Sequence, residues 1–379
     1  MPENRRTLTI QLALFLITLV TTTLAGTEWM HGHLFFFSDK AFGWQEFCQG
    51  FQFSIPFLGV LTVHEFGHYF VARRHRVRVS LPYYIPLWFG ISPSIGTMGA
   101  FIKIREQVQS RIKFFDIGIA GPLAGFVVAL LVLWYGFTHL PPPEHIFTIH
   151  PEYLEHGLSY PHFVYENAAG NIALGDNLVF WFFKSYVADP ALLPHRFEII
   201  HYPYLFAGYL ALFFTALNLI PIGQLDGGHI LYGLIGKKKF DIVAPTLYVL
   251  ALTYSGIGLY TLIEFSLFTN EEFYSGLLSL ALYAIFLFIC LRKVFENPLN
   301  ALMLALGVVL AQLLIAHFFP GITGYPVFLF FLFILGRFLG IYHPETPDER
   351  PLGAGRVVLG IVALLVFVLC FSPQPFIEL

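Results

Sequence analysis

Two histidines four residues apart, with a glutamate beside the first, form the group in this chain best suited to chemistry: His64-Glu65-Phe66-Gly67-His68. On a helix, positions i and i+4 share a face, so both imidazoles can reach one metal ion, and Glu65 stands where a carboxylate can take a proton from a water on that ion. The run around them, FSIPFLGVLTVHEFGHYFVA, is otherwise apolar. Ionisable side chains at membrane depth cost roughly 2.5 kcal/mol or more each, so three within five residues need a compensating partner. A divalent cation is such a partner.

Zinc peptidase sites take three protein ligands and keep a position for water, so His64 and His68 require one more. The best candidate is Asp226 in ALNLIPIGQLDGGHILYGLIG, a carboxylate presented where an apolar helix breaks before Gly227 and Gly228. Its competing role is to cap the helix that follows. The membrane setting and the incomplete two-histidine site favour the ligand. Asn218 and Pro221 stand on the approach to the break. Pro221 removes a backbone donor and opens the helix, while Asn218 is suited either to hydrogen-bonding a substrate or oxyanion or to joining two helices.

The elements that must position these residues are membrane helices. Hydrophobic residues make up 56% of the 379 and charged residues 12%, with a mean hydropathy of +0.69, far from the roughly 25% charged content of soluble domains. The 18% aromatic share suits lipid-facing and interfacial rings. A net charge of −3 gives no sign of a nucleic-acid partner. Cys48, Cys290 and Cys370 have no short spacing, so neither a disulfide framework nor a thiolate zinc site is expected.

At about 20 apolar residues per span, helices are expected near residues 6–26, 50–72, 114–138, 203–220, 242–265, 273–291, 299–318, 323–341 and 353–372. The expected fold is therefore an all-α polytopic membrane protein of about nine transmembrane helices. The first reads as an uncleaved span rather than a signal peptide. Arg5, Arg6, Arg73, Arg74, Arg76, Arg78, Arg105, Arg111, Lys113, Lys237, Lys238, Lys239, Arg292 and Lys293 all fall on one side of this topology, which the positive-inside rule makes cytoplasmic together with the N-terminus. His64 then lies roughly 13 Å from the cytoplasmic edge, nine residues before Arg73 at about 1.5 Å each.

Two connections stand out. The stretch SLPYYIPLWFGISPSIGTMGAFIKI is apolar but broken by Pro82, Pro86, Pro93, Gly90, Gly96 and Gly99, which predicts a short membrane-inserted β-hairpin or re-entrant loop rather than a span. Residues 139–202 form the longest polar segment, on the extracytoplasmic side. Its histidines (His139, His145, His150, His156, His162, His195 and His201) lack compact ligand spacing and read as solvated loop residues rather than a second metal site. No internal repeat is evident.

HEFGH in a membrane helix, GIAGPLAGF, and NLIPIGQLDGGH downstream resemble the site-2 protease family of intramembrane zinc metallopeptidases. The resemblance covers roughly residues 50–236, leaving 1–49 as an N-terminal helix and loop, 139–202 as an insertion in the core, and 237–379 as C-terminal helices without an expected role. It implies one Zn2+ held by His64, His68 and Asp226, Glu65 as general base, and Asn218 with Pro221 holding the substrate or its oxyanion. GPLAG resembles the family's small-residue helix, for which close packing is a sufficient role. GTMGAFIKI resembles its membrane-inserted hairpin, whose edge at Gly96 and Gly99 would pair with an extended substrate. The implied activity is zinc-dependent hydrolysis of transmembrane proteins or peptides in the lipid bilayer. Residues 139–202 are short for the PDZ domain that many bacterial members carry and lack alternating strands. Against these expectations stand a metal transporter and a catalytically silent membrane scaffold. The transporter needs polar residues continued along several helices, and the late helices carry few, chiefly Glu264, Gln312, His317 and Arg337.

Overall fold

The computed structural model describes residues 5–37, 42–165, 172–261, 270–295 and 297–378. It is mostly helical and divides into two compact units. The first comprises residues 1–109, 116–219 and 361–379; the second comprises 110–115 and 220–360.

The first unit is built on α1 (Arg5–His31), the short α2 (Trp44–Gln49), α3 (Phe51–Arg74), most of α4 (Arg111–Thr138) and α6 (Pro203–Asn218). Threonines give α1 its inward face: Thr18, Thr22, Thr23 and Thr27 are buried. Within the helix the Thr22 hydroxyl donates to the Thr18 carbonyl at 2.7 Å, that of Thr23 to the Leu19 carbonyl at 2.7 Å and that of Thr27 to the Thr23 carbonyl at 3.0 Å. Thr23 Oγ1 also meets Ser54 Oγ of α3 at 2.8 Å. Gly50 allows this approach, since a Cβ there would lie 2.3 Å from the Thr23 carbonyl oxygen.

After α3, the Pro/Gly-broken stretch forms the expected hairpin. Strands β1 (Tyr83–Leu87) and β2 (Gly96–Phe101) pair antiparallel, Tyr83 opposite Phe101 and Leu87 opposite Gly96, with an irregularity between Tyr84 and Pro86. Gln11 Nε2 donates to the Leu81 carbonyl at 2.9 Å, and Thr21 Oγ1 to that of Gly96 at 2.7 Å, fastening the hairpin to α1.

In the 139–202 insertion, short helical turns surround a small core of Ile146, Tyr153 and Tyr160, followed by β3 (Ile172–Leu174) and α5 (Leu178–Tyr186). Among its described residues β3 is the only strand longer than an isolated bridge. Its partner is β4 (Phe376–Glu378), with Ala173 opposite Ile377. The buried Tyr209 hydroxyl of α6 donates to the carbonyls of Gly175 and Pro375, at 2.7 and 2.6 Å, and seals this small sheet.

The second unit holds α7 (Asp226–Ile235), α8 (Lys237–Ser255), α9 (Asn270–Leu291), α10 (Pro298–Phe318), α11 (Val327–Ile334) and the start of α12 (Ala354–Cys370). Its core includes Tyr248, Leu252, Tyr283, Leu287, Cys290 and Leu335. The buried Gln312 amide donates to the carbonyls of Leu252 and Thr253 and to the Tyr283 hydroxyl, so it joins helices rather than lining a route. His317 and Arg337 are exposed. The end of the helix expected at 242–265, with Glu264, lies partly outside the described residues.

Four helices among the described residues are long and apolar enough to cross a bilayer: α1, α4, α9 and α10. Three further apolar segments, Pro203–Asn218, Val327–Leu339 and Ala354–Cys370, are shorter. Of the other two expected spans, α3 carries HEFGH and two terminal arginines, and α8 opens on three lysines.

Candidate metal centre

His64, Glu65 and His68 lie in α3 and are buried, each only 6% exposed. The two Nε2 atoms stand 3.0 Å apart. His68 Nδ1 is 2.7 Å from the Ile117 carbonyl oxygen of α4, which can only accept. Nδ1 therefore carries the proton, and Nε2 presents a lone pair toward His64. Two nitrogens bound at about 2.0–2.1 Å to one tetrahedral zinc stand about 3.3 Å apart, so this pair fits a shared zinc.

Small residues on α4 make the room. A Cβ at Gly121 would lie 2.2 Å from His68 Nε2, and one at Gly125 would lie 3.2 Å from His64 Cβ. Gly67 of the HEFGH motif brings the backbones together, since a Cβ there would lie 2.7 Å from the Ala120 carbonyl oxygen. About two turns beyond, His75 Nε2 meets Asp116 Oδ2 at 2.8 Å and fixes α4 along the end of α3. The GPLAG segment thus does more than pack: Gly121 is the space that His68 occupies. Nothing in the spacing of GPLAG marks that residue, because its meaning depends on which turn of α3 it faces.

The hairpin is tied to α3 just ahead of Glu65, where the Tyr84 hydroxyl and Thr62 Oγ1 are 2.7 Å apart. Gly96 has φ +82° and presses on α1, where a Cβ would lie 2.3 Å from Thr22 Cα. Gly99, at φ +104°, has space around it, and its N–H is bonded to Thr97 Oγ1 at 3.0 Å. Of these two glycines the first serves the hairpin's seat on α1. Asn218, half-buried, is the last residue of α6.

In the second unit, Pro221 and Asp226 flank a tight loop. Leu225 occupies the N-cap position, and Asp226 is the first residue of α7, so the capping role does not fall to this carboxylate. Gly223 adopts φ +65°, and a Cβ there would lie 2.1 Å from the Gly340 carbonyl oxygen. Gln224 Nε2 donates to the Leu339 carbonyl at 3.3 Å. His229 Nδ1 donates to His343 Nε2 at 2.8 Å, while His343 Nδ1 donates to the Pro344 carbonyl, also at 2.8 Å. Tyr232 stacks on the His343 ring at 3.9 Å and bonds Thr346 and Glu349 through its hydroxyl. Burial holds the His343 pKa down to about 3. Arg111 closes the far end of α7, its Nε and Nη2 donating to the Gly233 carbonyl at 3.0 and 2.8 Å. Residues 339–349 therefore strap the loop and helix that carry Asp226, a role for the C-terminal part that its sequence does not signal.

The insertion's histidines do not all behave as solvated loop residues. His139, His156 and His162 are exposed, but His145, His150 and His195 are half-buried and His201 is buried. Burial lowers His201 to about 4 and raises the neighbouring Glu198 carboxyl to about 7.

The sequence profile of peptidase family M50 matches residues 52–255, more than half of the chain. The chain belongs to this family, the site-2 protease family, whose members use zinc. Among curated proteins it is 28% identical over 193 residues to "Probable zinc metalloprotease EGY1, chloroplastic" of Arabidopsis thaliana, spanning 51% of this chain and 31% of that protein. It is 27% identical over 221 residues to "Probable zinc metalloprotease EGY2, chloroplastic" of Oryza sativa subsp. indica, spanning 57% and 33%. It is 25% identical over 201 residues to "Probable zinc metallopeptidase EGY3, chloroplastic" of Arabidopsis thaliana, spanning 50% and 31%. The chain thus matches about a third of the length of these relatives. No solved structure matches it significantly.

Proposed function

We propose that the chain is an intramembrane zinc metalloprotease that hydrolyses peptide bonds of transmembrane proteins or peptides within or beside the bilayer. The observation that carries this reading is the buried His64/His68 pair, its Nε2 atoms 3.0 Å apart and the His68 tautomer set by the Ile117 carbonyl. His64, His68 and Asp226 would hold the metal. Support for Asp226 comes from its position at the first residue of α7 in a strapped loop, with the capping position taken by Leu225. Zinc supplies a Lewis acid at the scissile carbonyl and lowers the pKa of a water.

Glu65 acts as general base and then as general acid. It takes a proton from the attacking water as the C–O bond forms, and gives it to the amide nitrogen as the C–N bond breaks. The net reaction adds one water across one peptide bond. Asn218, with the chain opened by Pro221, holds the substrate or its developing oxyanion. The edge of β2 beside Gly99, where Met98 and Phe101 are exposed, pairs with a substrate stretch that has unwound, because a helix hides its carbonyls in its own hydrogen bonds. About nine helices cross the bilayer in this reading, with the arginine-rich end of α3 cytoplasmic and the active site nearer that side.

Zinc analysis of Asp226→Ala beside the wild type tests the ligand set. The variant should bind zinc at least tenfold more weakly and lose cleavage of a single-span membrane peptide. Unchanged zinc affinity would remove Asp226 from the set.

A further inference from the structure

His150, Glu198 and His201 lie far apart in the sequence, yet their ligand atoms all fall within 4.8 Å of one another. All three belong to the first unit, and none belongs to the HEFGH site. His150 ends the short helical turn Ile146–Ile149, while Glu198 and His201 frame the turn Ile199–His201 just before α6.

The hydrogen bonds decide what these rings can do. His150 Nδ1 is 2.9 Å from Glu152 Oε1, and His201 Nδ1 faces the Trp29 carbonyl at the end of α1. Both partners are acceptors, so both Nδ1 atoms carry protons. The two Nε2 atoms, 3.4 Å apart, then point lone pairs at each other. As neutral rings neither can donate to the other, so the pair offers two converging lone pairs to a shared cation.

Glu198 supplies the third donor. It is 1% exposed, its Oε1 accepts the Tyr165 hydroxyl, and its Oε2 accepts no hydrogen bond among the described residues. That oxygen is 3.5 Å from His201 Nε2. A buried carboxylate oxygen without a hydrogen bond, beside two inward lone pairs, is a donor set without its acceptor. Each donor is also backed by a second group: Glu152 and the Trp29 carbonyl behind the histidines, and the Tyr165 hydroxyl behind the glutamate. This is the outer shell that orients metal ligands. Tyr153, stacked on His150 at 4.6 Å, fixes that ring further.

We propose that His150, Glu198 and His201 form a second metal site for a divalent cation of the zinc class. Two imidazoles among three donors select zinc over magnesium or calcium, which prefer all-oxygen sites. A cleft of about 250 Å³, lined by these residues with Glu28, Trp29 and Tyr165, leaves the fourth position open to water or a small anion. Because His201 is bonded to α1 and immediately precedes α6 while His150 lies early in the insertion, the ion pins that early part to the ends of both helices.

The test is metal content of the full chain, purified in detergent, loaded with Zn2+ and dialysed against metal-free buffer. Wild type should hold two zinc ions, His64→Ala/His68→Ala one, His150→Ala/His201→Ala one, and the fourfold variant none. Removal of buried His201 can perturb folding, so His150→Ala and the near-isosteric Glu198→Gln are titrated with Co2+ in the His64→Ala/His68→Ala background. Each should weaken binding at least tenfold with an unchanged circular dichroism spectrum. The proposal is overturned if His150→Ala/His201→Ala keeps the wild-type zinc content, or if the His64→Ala/His68→Ala chain binds no Co2+. Loss of zinc in His150→Ala/His201→Ala alone would uphold this site while refuting the HEFGH site, so the two readings fail separately.

Discussion

Gly121 shows how far the setting of the proposed zinc ligand His68 depends on a residue with no side chain. Its missing side chain is the volume that the His68 imidazole fills, and a methyl group there would stand 2.2 Å from Nε2. The ring must then leave its place, and with it the hydrogen bond to the Ile117 carbonyl. Gly121→Ala should therefore weaken zinc binding at least tenfold, measured by competition with a chromogenic chelator. Gly125→Ala, whose Cβ would stand 3.2 Å from His64 Cβ and 3.4 Å from its Nδ1, should cost less. Equal effects from both would deny Gly121 this role. The approach of His64 and His68 could be anticipated from the sequence because positions i and i+4 share a helix face whatever packs around them. Gly121 could not, since its role exists only when α4 lies against one particular turn of α3. The same holds for His150, Glu198 and His201, whose grouping arises from packing between distant turns.

At the scale of elements, two small devices hold larger ones. The strap at residues 339–349 depends on a neutral His343, which is 2% exposed and held down to about 3 by burial. The unfolded chain takes up this proton near the ordinary value of 6.5 while the folded chain does not, so the contribution to stability is complete above about pH 6.5. It is lost as the pH falls toward 3, by up to about 1.4 kcal/mol per pH unit. His343→Gln should flatten the pH dependence of thermal unfolding in that window, and an unchanged slope would contradict it. The β3–β4 pair is the second device. Deleting residues 373–379 removes the partner of the buried Ala173 and Leu174 and one acceptor of the Tyr209 hydroxyl. The expected cost is about 1–3 kcal/mol of stability, read from the shift in melting temperature. The β1–β2 hairpin could be read from its prolines and glycines in an apolar stretch. The β3–β4 pair could not, because two three-residue strands about 200 positions apart leave no periodic signal.

For the whole molecule, composition was the strongest guide: 56% hydrophobic and 12% charged residues already required a helical membrane protein. Hydropathy alone identifies α1, α4, α9 and α10. It ranks α3 lower because that helix carries His64, Glu65 and His68 within its apolar run. Membership of peptidase family M50 agrees with this pattern. The central claim is that HEFGH works as a zinc peptidase centre with Glu65 as its proton carrier. The most direct measurement compares wild type and Glu65→Gln, reconstituted in liposomes with a single-span peptide, for both zinc content and cleavage. The account predicts wild-type zinc content in the variant with cleavage reduced at least a hundredfold. Undiminished cleavage by Glu65→Gln would contradict it.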